Sequence, residues 1–301
     1  MNGTLAVARY TLIELSRRRI LLVLTVIGAL GIAAIGGAFK IAASVNPASI
    51  SFGGGPGSGP IDPAKLDRVN EIEFVIQLIG VIGFFAVLIA FAIGMTAIYH
   101  DLESGAAVGI FSKPVSRLAF TAGKILAAVA AMVVIVGLLS LETRLVMALF
   151  GGGLEGAMWV ETVAAVANGV LVMLIVLALS TWMNNIIAAV VAFVYNVVIA
   201  TVVVSLHNSL VAGFLGDNAF LNGAVNVAYW LVPHHLMSDA QRQLAQAEGE
   251  LFAAAGSGGP TPADFVNGVA GASDLQDIIW WAFLVVLMAA LVYLAVRRRQ
   301  V

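Results

Sequence analysis

The chain contains no cysteine and very little charge. The absence of cysteine excludes disulfide bonds, thiolate metal sites and a cysteine nucleophile. Charged residues make up 11% of the sequence, whereas soluble domains carry about 25%. Hydrophobic residues make up 61%, and the mean hydropathy is +1.01. These values predict a chain whose solvent is a lipid bilayer.

The sequence also lacks the motifs of common catalytic and nucleotide-binding sites. It has no G-x-x-x-x-G-K-[ST] phosphate loop, because its Gly123–Lys124 pair is followed by Ile125. No G-x-S-x-G or H-E-x-x-H motif is present. His234 and His235 are adjacent and would not share a helix face, so we interpret them as a polar turn rather than a metal site. We therefore expect no catalytic residue, metal or cofactor in this chain.

Six apolar runs approach the length of about 20 residues that a membrane-spanning helix needs. We predict an all-α membrane protein in which residues 1–301 form a single transmembrane domain, with outer loops at 40–73 and 207–277. In the third run, Lys124 is expected to extend its side chain to the membrane interface. The predicted spans are Ile20–Phe39, Phe74–Tyr99, Ala119–Leu141, Thr162–Thr181, Ile186–Leu206 and Ile278–Val296.

A seventh segment, Val211–Val232, is fairly apolar but contains four polar side chains, at Asp217, Asn218, Asn222 and Asn226. Polar groups in lipid need partners, so we interpret it as a short re-entrant or outer-leaflet segment rather than a span. In the loop that follows, Ser238 with Gln241 and Ser273 with Gln276 are spaced as helix capping boxes.

The distribution of Lys and Arg predicts the orientation. With the N-terminus inside, six spans place ten of the 15 basic residues on the inner side. Both termini are then cytosolic, in a multi-pass protein of the cytoplasmic membrane. The inner group is Arg9, Arg17, Arg18, Arg19, Lys113, Arg117, Lys124, Arg297, Arg298 and Arg299, and the outer group is Lys40, Lys65, Arg68, Arg144 and Arg242.

Residues 1–19 predict an amphipathic helix that lies on the inner leaflet. Leu5, Ala8, Leu12 and Leu15 are spaced to share one helix face, and the run Arg17–Arg19 would be attracted to anionic lipid. A solvated N-terminal arm is the alternative.

The spans carry almost no ionisable group, since only Lys124 lies near the end of one. Ion-coupled transporters normally need buried carboxylates or histidines, so this pattern disfavours a secondary transporter. Asn168 and Asn196 are the polar residues nearest the middle of the membrane, and we interpret them as forming hydrogen bonds between helices.

The polar loop between the second and third spans is the predicted contact site for a cytosolic partner. Ser104–Phe111 is long enough for about two helical turns, Lys113–Pro114 ends it, and Ser116 is a candidate N-cap for the third span. Charged side chains on this loop can set the register of a partner. They are Asp101, Glu103, Lys113, Arg117 and Lys124. A solvated connector that merely follows the positive-inside rule is the alternative.

The run YHDLESGAAVGIFSKPVSRLAFTAGKILA, Tyr99 to Ala127, resembles the inner loop of ATP-binding-cassette (ABC) transporter permeases of the type-2 exporter class. In that family an acidic residue and a glycine precede a short helix, followed by a Pro-x-x-Arg turn and a Gly-Lys pair. The six-span plan and the helix Leu5–Arg19 match as well, whereas Ala106 or Ala107 stands where the family often has threonine. The matching residues are Glu103, Gly105, Pro114, Arg117, Gly123 and Lys124.

The resemblance implies a permease subunit that works as a dimer with separate ATP-binding-cassette ATPase subunits, which hold ATP and Mg²⁺. A short cytosolic coupling helix within Ser104–Ser116 would receive their motion, and the transported substrate is not indicated. A membrane anchor or assembly subunit without transport is the alternative, while an intramembrane enzyme is disfavoured by the apolar spans. The expected coupling residues are Asp101, Glu103, Gly105, Gly109, Lys113, Pro114, Arg117 and Lys124.

Overall fold

A computed structural model describes residues 3–44, 63–103, 115–150, 155–211, 218–255 and 272–298. Every regular element in these ranges is a helix. The helices are α1 Gly3–Ser16, α2 Arg19–Ser44, α3 Pro63–Thr96, α4 Tyr99–Glu103, α5 Arg117–Phe150, α6 Glu155–Trp182, α7 Asn185–Phe193, a π-helix Val194–Ile199, α8 Ala200–Val211, α9 Ala219–Leu231, α10 Ala240–Ala255 and α11 Leu275–Arg298.

Six helical segments within the described residues are long and apolar enough to cross a membrane, which confirms the predicted number. They follow the predicted order, and most extend a few residues beyond the predicted ends. We call them spans one to six. They are Arg19–Ile41, Asp67–Thr96, Arg117–Leu149, Trp159–Trp182, Asn185–Val211 and Leu275–Arg298.

Spans two and four, formed by α3 and α6, are the most buried of the six. Nine consecutive residues of α6, from Val170 to Ala178, are buried. A helix that is apolar and buried all round lies in the centre of a bundle. Spans one, five and six are mostly exposed, as expected for helices at the rim of a bundle that faces lipid.

Gly94 determines how closely α3 and α6 pack. A Cβ atom at this position would lie only 2.8 Å from the carbonyl oxygen of Met173 and from the Cβ of Val176. Small residues permit this backbone approach, which favours helix association in lipid. The hydroxyl of Ser180 also lies 3.5 Å from the Gly94 carbonyl oxygen.

The fifth span is interrupted in its middle by the π-helix Val194–Ile199. Within it, the side chain of Asn196 is buried. A uniformly apolar sequence does not indicate where a π-helical turn occurs, so the sequence predicted an uninterrupted α-helix. Single π turns inside α-helices occur frequently at functional sites.

Cationic side chains from several helices lie at one end of the bundle, which we call the basic end. It includes Arg18, Arg117, Lys124 and Arg297, whereas α9 and α10 lie at the opposite end. There, α10 packs against the start of α3 through Leu244 and Ala247.

The described part of the segment after span five is too short to form a seventh span. This part, α9, has only 13 residues, and the Asn218 side chain caps it by accepting from the backbone N–H groups of Phe220 and Leu221. This length agrees with the predicted short segment and is insufficient to cross a bilayer.

The cap of α10 uses the predicted Ser238, whereas the cap of α11 lies close to the predicted position but uses other residues. At α11, Asp274 and Asp277 each accept from the other's backbone N–H, so the box is one residue later than the predicted Ser273 and Gln276. At α10, the Ser238 hydroxyl accepts from Ala240 N–H.

Candidate functional site

Lys124 is the centre of an ion-pair cluster at the basic end. Its side chain is completely buried, and its Nζ lies 2.5 Å from Oδ2 of Asp101 and 3.4 Å from Oε2 of Glu14. Asp101 is also buried, whereas Glu14 is partly exposed and forms a second ion pair with Arg18. The cluster therefore connects three separate elements, α1, α4 and α5.

The position of Lys124 differs from the expectation that it would reach the membrane interface. A buried ammonium group is costly unless a carboxylate compensates for it. Here two carboxylates come to the lysine, and the rings of Tyr10 and Phe120 lie 5.8 Å and 5.9 Å from its Nζ. The side chain therefore has no need to extend into water.

Gly123, next to this lysine, lets α1 lie directly on α5. A Cβ at Gly123 would be 2.7 Å from the Thr4 carbonyl oxygen and 2.8 Å from the Cβ of Val7. The face of α1 that contacts α5 consists of Val7, Ala8, Thr11 and Leu15. Of the apolar face predicted from the sequence, Ala8 and Leu15 contact α5, whereas Leu5 and Leu12 are exposed.

The charges around Glu14 set its ionisation. Burial alone would raise the pKa of this carboxyl group, but the hydrogen bond from Arg18 and the charges of Lys124 and Arg18 outweigh burial and hold the pKa below its ordinary value. Glu14 is therefore ionised at neutral pH and pairs with both cations.

Arg117 connects the start of α5 to the end of α11. Its Nη1 donates to the Arg297 carbonyl oxygen at 2.5 Å and lies 3.4 Å from that of Val296. The last carbonyls of a helix have no partner within the helix, so the guanidinium group supplies one. Arg298 lies over the ring of Trp182 at 5.5 Å, which adds a contact between span six and span four.

The structure brings together some of the predicted coupling residues. Asp101 and Lys124 are in direct contact, and Arg117 lies two turns earlier on the same helix as Lys124. Glu103 accepts a hydrogen bond from the Tyr99 hydroxyl at 3.1 Å and is exposed. Four further predicted residues, Gly105, Gly109, Lys113 and Pro114, lie outside the described residues, as does the predicted helix Ser104–Phe111.

Sequence reasoning missed Glu14 as a member of this site. It lies 110 residues before Lys124, and its spacing carries no sign of the pairing. Only the composition could have indicated this role, since Glu14 is the acidic residue of an N-terminal segment whose other charged residues are basic.

A second polar site lies at the opposite end, where residues 231–238 pack between spans four and five. The side chain of Asn168 forms two hydrogen bonds with the backbone of Leu236, at 2.8 Å and 2.9 Å. The Tyr195 hydroxyl donates to the Leu231 carbonyl oxygen, and Glu161 accepts from Ser238 N–H. Asn168 therefore anchors a loop rather than a helix, contrary to the sequence interpretation.

Three rings form a stack beside this segment. The Tyr229 ring lies between His207, at 3.9 Å, and His234, at 4.3 Å. The Tyr229 hydroxyl donates to Oδ1 of Asp277, which is also 3.1 Å from Nε2 of His234. Burial and then the charge of Asp277 raise the pKa of the Tyr229 hydroxyl, so it remains a donor at neutral pH.

The adjacent histidines contact different partners. His234 pairs with Asp277, while Nε2 of His235 lies 3.5 Å from Nδ2 of Asn196. Within the part of the chain that the structure describes, no group of three or more His, Cys, Asp or Glu side chains is arranged to hold a metal ion.

Comparison with protein-family models found no match to this chain, and comparison with curated proteins found none either.

Proposed function

We propose that this chain is the permease subunit of an ABC transporter of the type-2 exporter class. In this proposal the basic end faces the cytosol, and separate ATP-binding subunits act on residues 104–116. The resemblance of Tyr99–Ala127 to the inner loop of that family supports it, together with the six apolar helices and the distribution of Lys and Arg.

The buried contact between Lys124 and Asp101 is the observation that carries the proposal. Asp101 comes shortly before residues 104–114 in the chain, and Lys124 comes shortly after them. A push on this loop would therefore be transmitted to α4 and α5 together, rather than being absorbed by one of them. Through α4 it would reach span two, and through Glu14 it would reach α1.

In this mechanism the permease needs no catalytic side chain. Closure of the ATP-binding subunits would move the paired ends of spans two and three. Two facing permease copies would then open or close a path between them. The amphipathic helix α1 would lie along the inner leaflet, with Arg9 and Arg17 exposed to anionic headgroups.

Copurification tests this proposal. The tagged chain, solubilised in mild detergent, should retain an ABC ATPase that mass spectrometry can identify. ATP hydrolysis should appear with that partner and not with the chain alone. Purification without any ATP-binding protein, or turnover by the chain alone after contaminants are removed, would contradict the proposal.

A loop variant distinguishes a transporter from a membrane anchor. Gly105 and Gly109 are four residues apart and would share one face of a coupling helix, so Gly109→Trp should separate that face from the partner. We expect loss of the partner or of coupled ATP hydrolysis at normal membrane abundance. Gly137→Trp is the matched control, because the position on α5 has open space around it. If Gly109→Trp binds and couples normally, the loop is a plain connector.

A further inference from the structure

An apolar cavity of about 610 Å³ lies between α3, α6 and the fifth span. Along α3 it extends from Gly80 to Phe91, a distance of about 16 Å at 1.5 Å per residue. This is close to half of the hydrocarbon thickness of a bilayer, which is about 30 Å. Phe91, Val190 and Phe193 form its wall at the end nearer the basic end.

Two glycines leave this cavity open. A Cβ atom at Gly80 or at Gly83 would meet no other atom within 4 Å. Both glycines line the cavity, and Gly80 is exposed, so the cavity is open to the surface of the bundle along this wall. Helix α3 therefore has unfilled space at these two positions, unlike at Gly94, where it is packed against α6.

The other end of the cavity is polar. Asn168, Thr201 and His235 line it, and both polar atoms of the Asn168 side chain are occupied by Leu236. Among the described residues that line the cavity, none is Asp, Glu, Lys or Arg. A charged ligand would therefore enter without a compensating charge, which is costly in an apolar site.

Asn196 does not line the cavity itself but lies behind His235, which does. The Asn196 side chain is 1% exposed, and its Oδ1 has no hydrogen-bond partner among the described residues. Its Nδ2 lies 3.5 Å from Nε2 of His235. If the imidazole accepts this hydrogen, its own proton is on Nδ1 and can be donated. His235 is an exposed residue at the end of the cavity, but the loss of water around its ring, followed by the nearby His234, lowers its pKa and favours the neutral ring at neutral pH.

We propose that this cavity binds an uncharged single-chain amphiphile, with the hydrocarbon chain along Gly80–Phe91 and a hydroxyl group at His235 and Thr201. The apolar wall and its length accommodate the chain, and the neutral polar end accommodates the hydroxyl. An ammonium or carboxylate head lacks a counter-charge in this cavity. The proposal concerns binding by the chain itself and holds whether or not the chain is a transporter subunit.

Photolabelling tests this proposal. The purified full chain, in lipid nanodiscs, is exposed to tetradecanol carrying a photoreactive diazirine. Matched probes are the carboxylate, the trimethylammonium and the plain hydrocarbon of the same chain length, at mildly alkaline pH. The alcohol should label α3, α6 and the fifth span saturably. It should bind about fivefold more tightly than the hydrocarbon, the effect of one ordinary hydrogen bond. The two charged probes should label less than the hydrocarbon.

Three variants locate the site. Gly83→Phe fills the cavity from its open wall and should abolish saturable labelling, and Gly80→Phe is the second variant if the first does not fold. Gly137→Phe, at an open glycine outside the cavity, should label normally. His235→Phe should retain hydrocarbon labelling and lose the fivefold advantage of the alcohol.

Several results would overturn the proposal. Normal labelling in both folded cavity variants would place the probe elsewhere. If the charged probes labelled as strongly as the alcohol, the neutral polar end would not select against charged headgroups. Intermolecular cross-links formed by reactive residues introduced at Gly83 or Val87 would, if they exclude the probe, show that a second copy of this chain occupies the cavity.

Discussion

The ammonium group of Lys124 lies between the carboxylates of Asp101 and Glu14 in the interior of the basic end. The sequence identified Lys124 as the ionisable residue at the edge of a span, but placed its charge at the membrane surface. The difference arises because a lysine on a helix end can reach water or can be buried with a partner. Spacing along the chain does not reveal a partner 110 residues away.

Replacing Lys124 with methionine should be strongly destabilising. The change keeps much of the side-chain volume but leaves Asp101 buried without its cation, a loss of about 3–5 kcal/mol. Thermal unfolding in detergent measures the effect. The double variant Lys124→Met/Asp101→Asn should recover much of it, because the uncompensated charge is gone.

Arg242→Met, which removes an exposed cation from α10, is the matched control and should change stability by less than about 0.5 kcal/mol. If Lys124→Met unfolds at the same temperature as this control, the ion-pair cluster does not stabilise the fold.

Glu14 should make stability depend on pH in the acidic range. Its folded-state pKa lies below its ordinary value of 4.5, so its ionised form stabilises the folded state fully above that pH. The contribution is lost as the pH falls below 4.5 and through the lowered pKa. Glu14→Gln should be less stable than the parent at neutral pH, and the difference should shrink on acidification. A difference that stays constant between neutral and acidic pH would contradict this assignment.

At the scale of the helix, the packing of α1 shows that a neighbouring helix determines which face becomes buried. The sequence of α1 is apolar on more than one side, and its period alone predicted Leu5, Ala8, Leu12 and Leu15 as the apolar face on the inner leaflet. In the structure the contact with α5 is centred on Gly123, which selects a face that includes Val7. The periodicity of α1 carries no information about a glycine on another helix.

Gly123→Leu should release α1 from α5. The added side chain would have to displace the backbone of Thr4 or the Val7 side chain, which typically costs about 1–3 kcal/mol. Limited trypsin digestion should then cut faster after Arg9 and Arg17. Gly137→Leu, with open space around it on the same helix, should be digested like the parent. Equal digestion of the two variants would show that α1 does not depend on this close contact.

Asn168→Leu should loosen residues 231–238. The variant leaves the part-buried backbone N–H and carbonyl of Leu236 without their partner, and each unsatisfied group costs at most about 1–3 kcal/mol, the range for a fully buried group. Hydrogen exchange at Leu236 and Met237 should become faster. Val163→Ala, an exposed position on the same helix, is the control. Unchanged exchange in Asn168→Leu would mean that other contacts hold the loop.

For the whole molecule, length and hydrophobicity were sufficient to predict a helical protein with six long apolar helices, which the described residues confirm. The short connection between Trp182 and Asn185, visible in the sequence, joins spans four and five as a helical hairpin. The cavity, the ring stack around Tyr229 and the ion-pair cluster could not be predicted. They each depend on residues from several helices, whose relative positions are set by packing rather than by any local pattern.

The orientation of the whole bundle is a separate prediction, because it depends on the side of the membrane at which each charge lies. Reporter fusions after Val301 and within residues 104–116 should report the cytosol. Fusions near Gly54 and Gly256 should report the external side. An external C-terminus would require an additional crossing, with residues 211–232 as the candidate.

The contacts of the first two turns of α5 also set an order of assembly during synthesis. Glu14 precedes its partner Lys124 by 110 residues, and Arg117 precedes the Arg297 carbonyl by 180. At about 5–20 residues per second, a ribosome needs roughly ten to forty seconds to make the second of these intervals. During that time Lys124 can already pair with Asp101 and Glu14, while Arg117 still awaits the final helix. The basic end is thus completed only after Arg297 has been made.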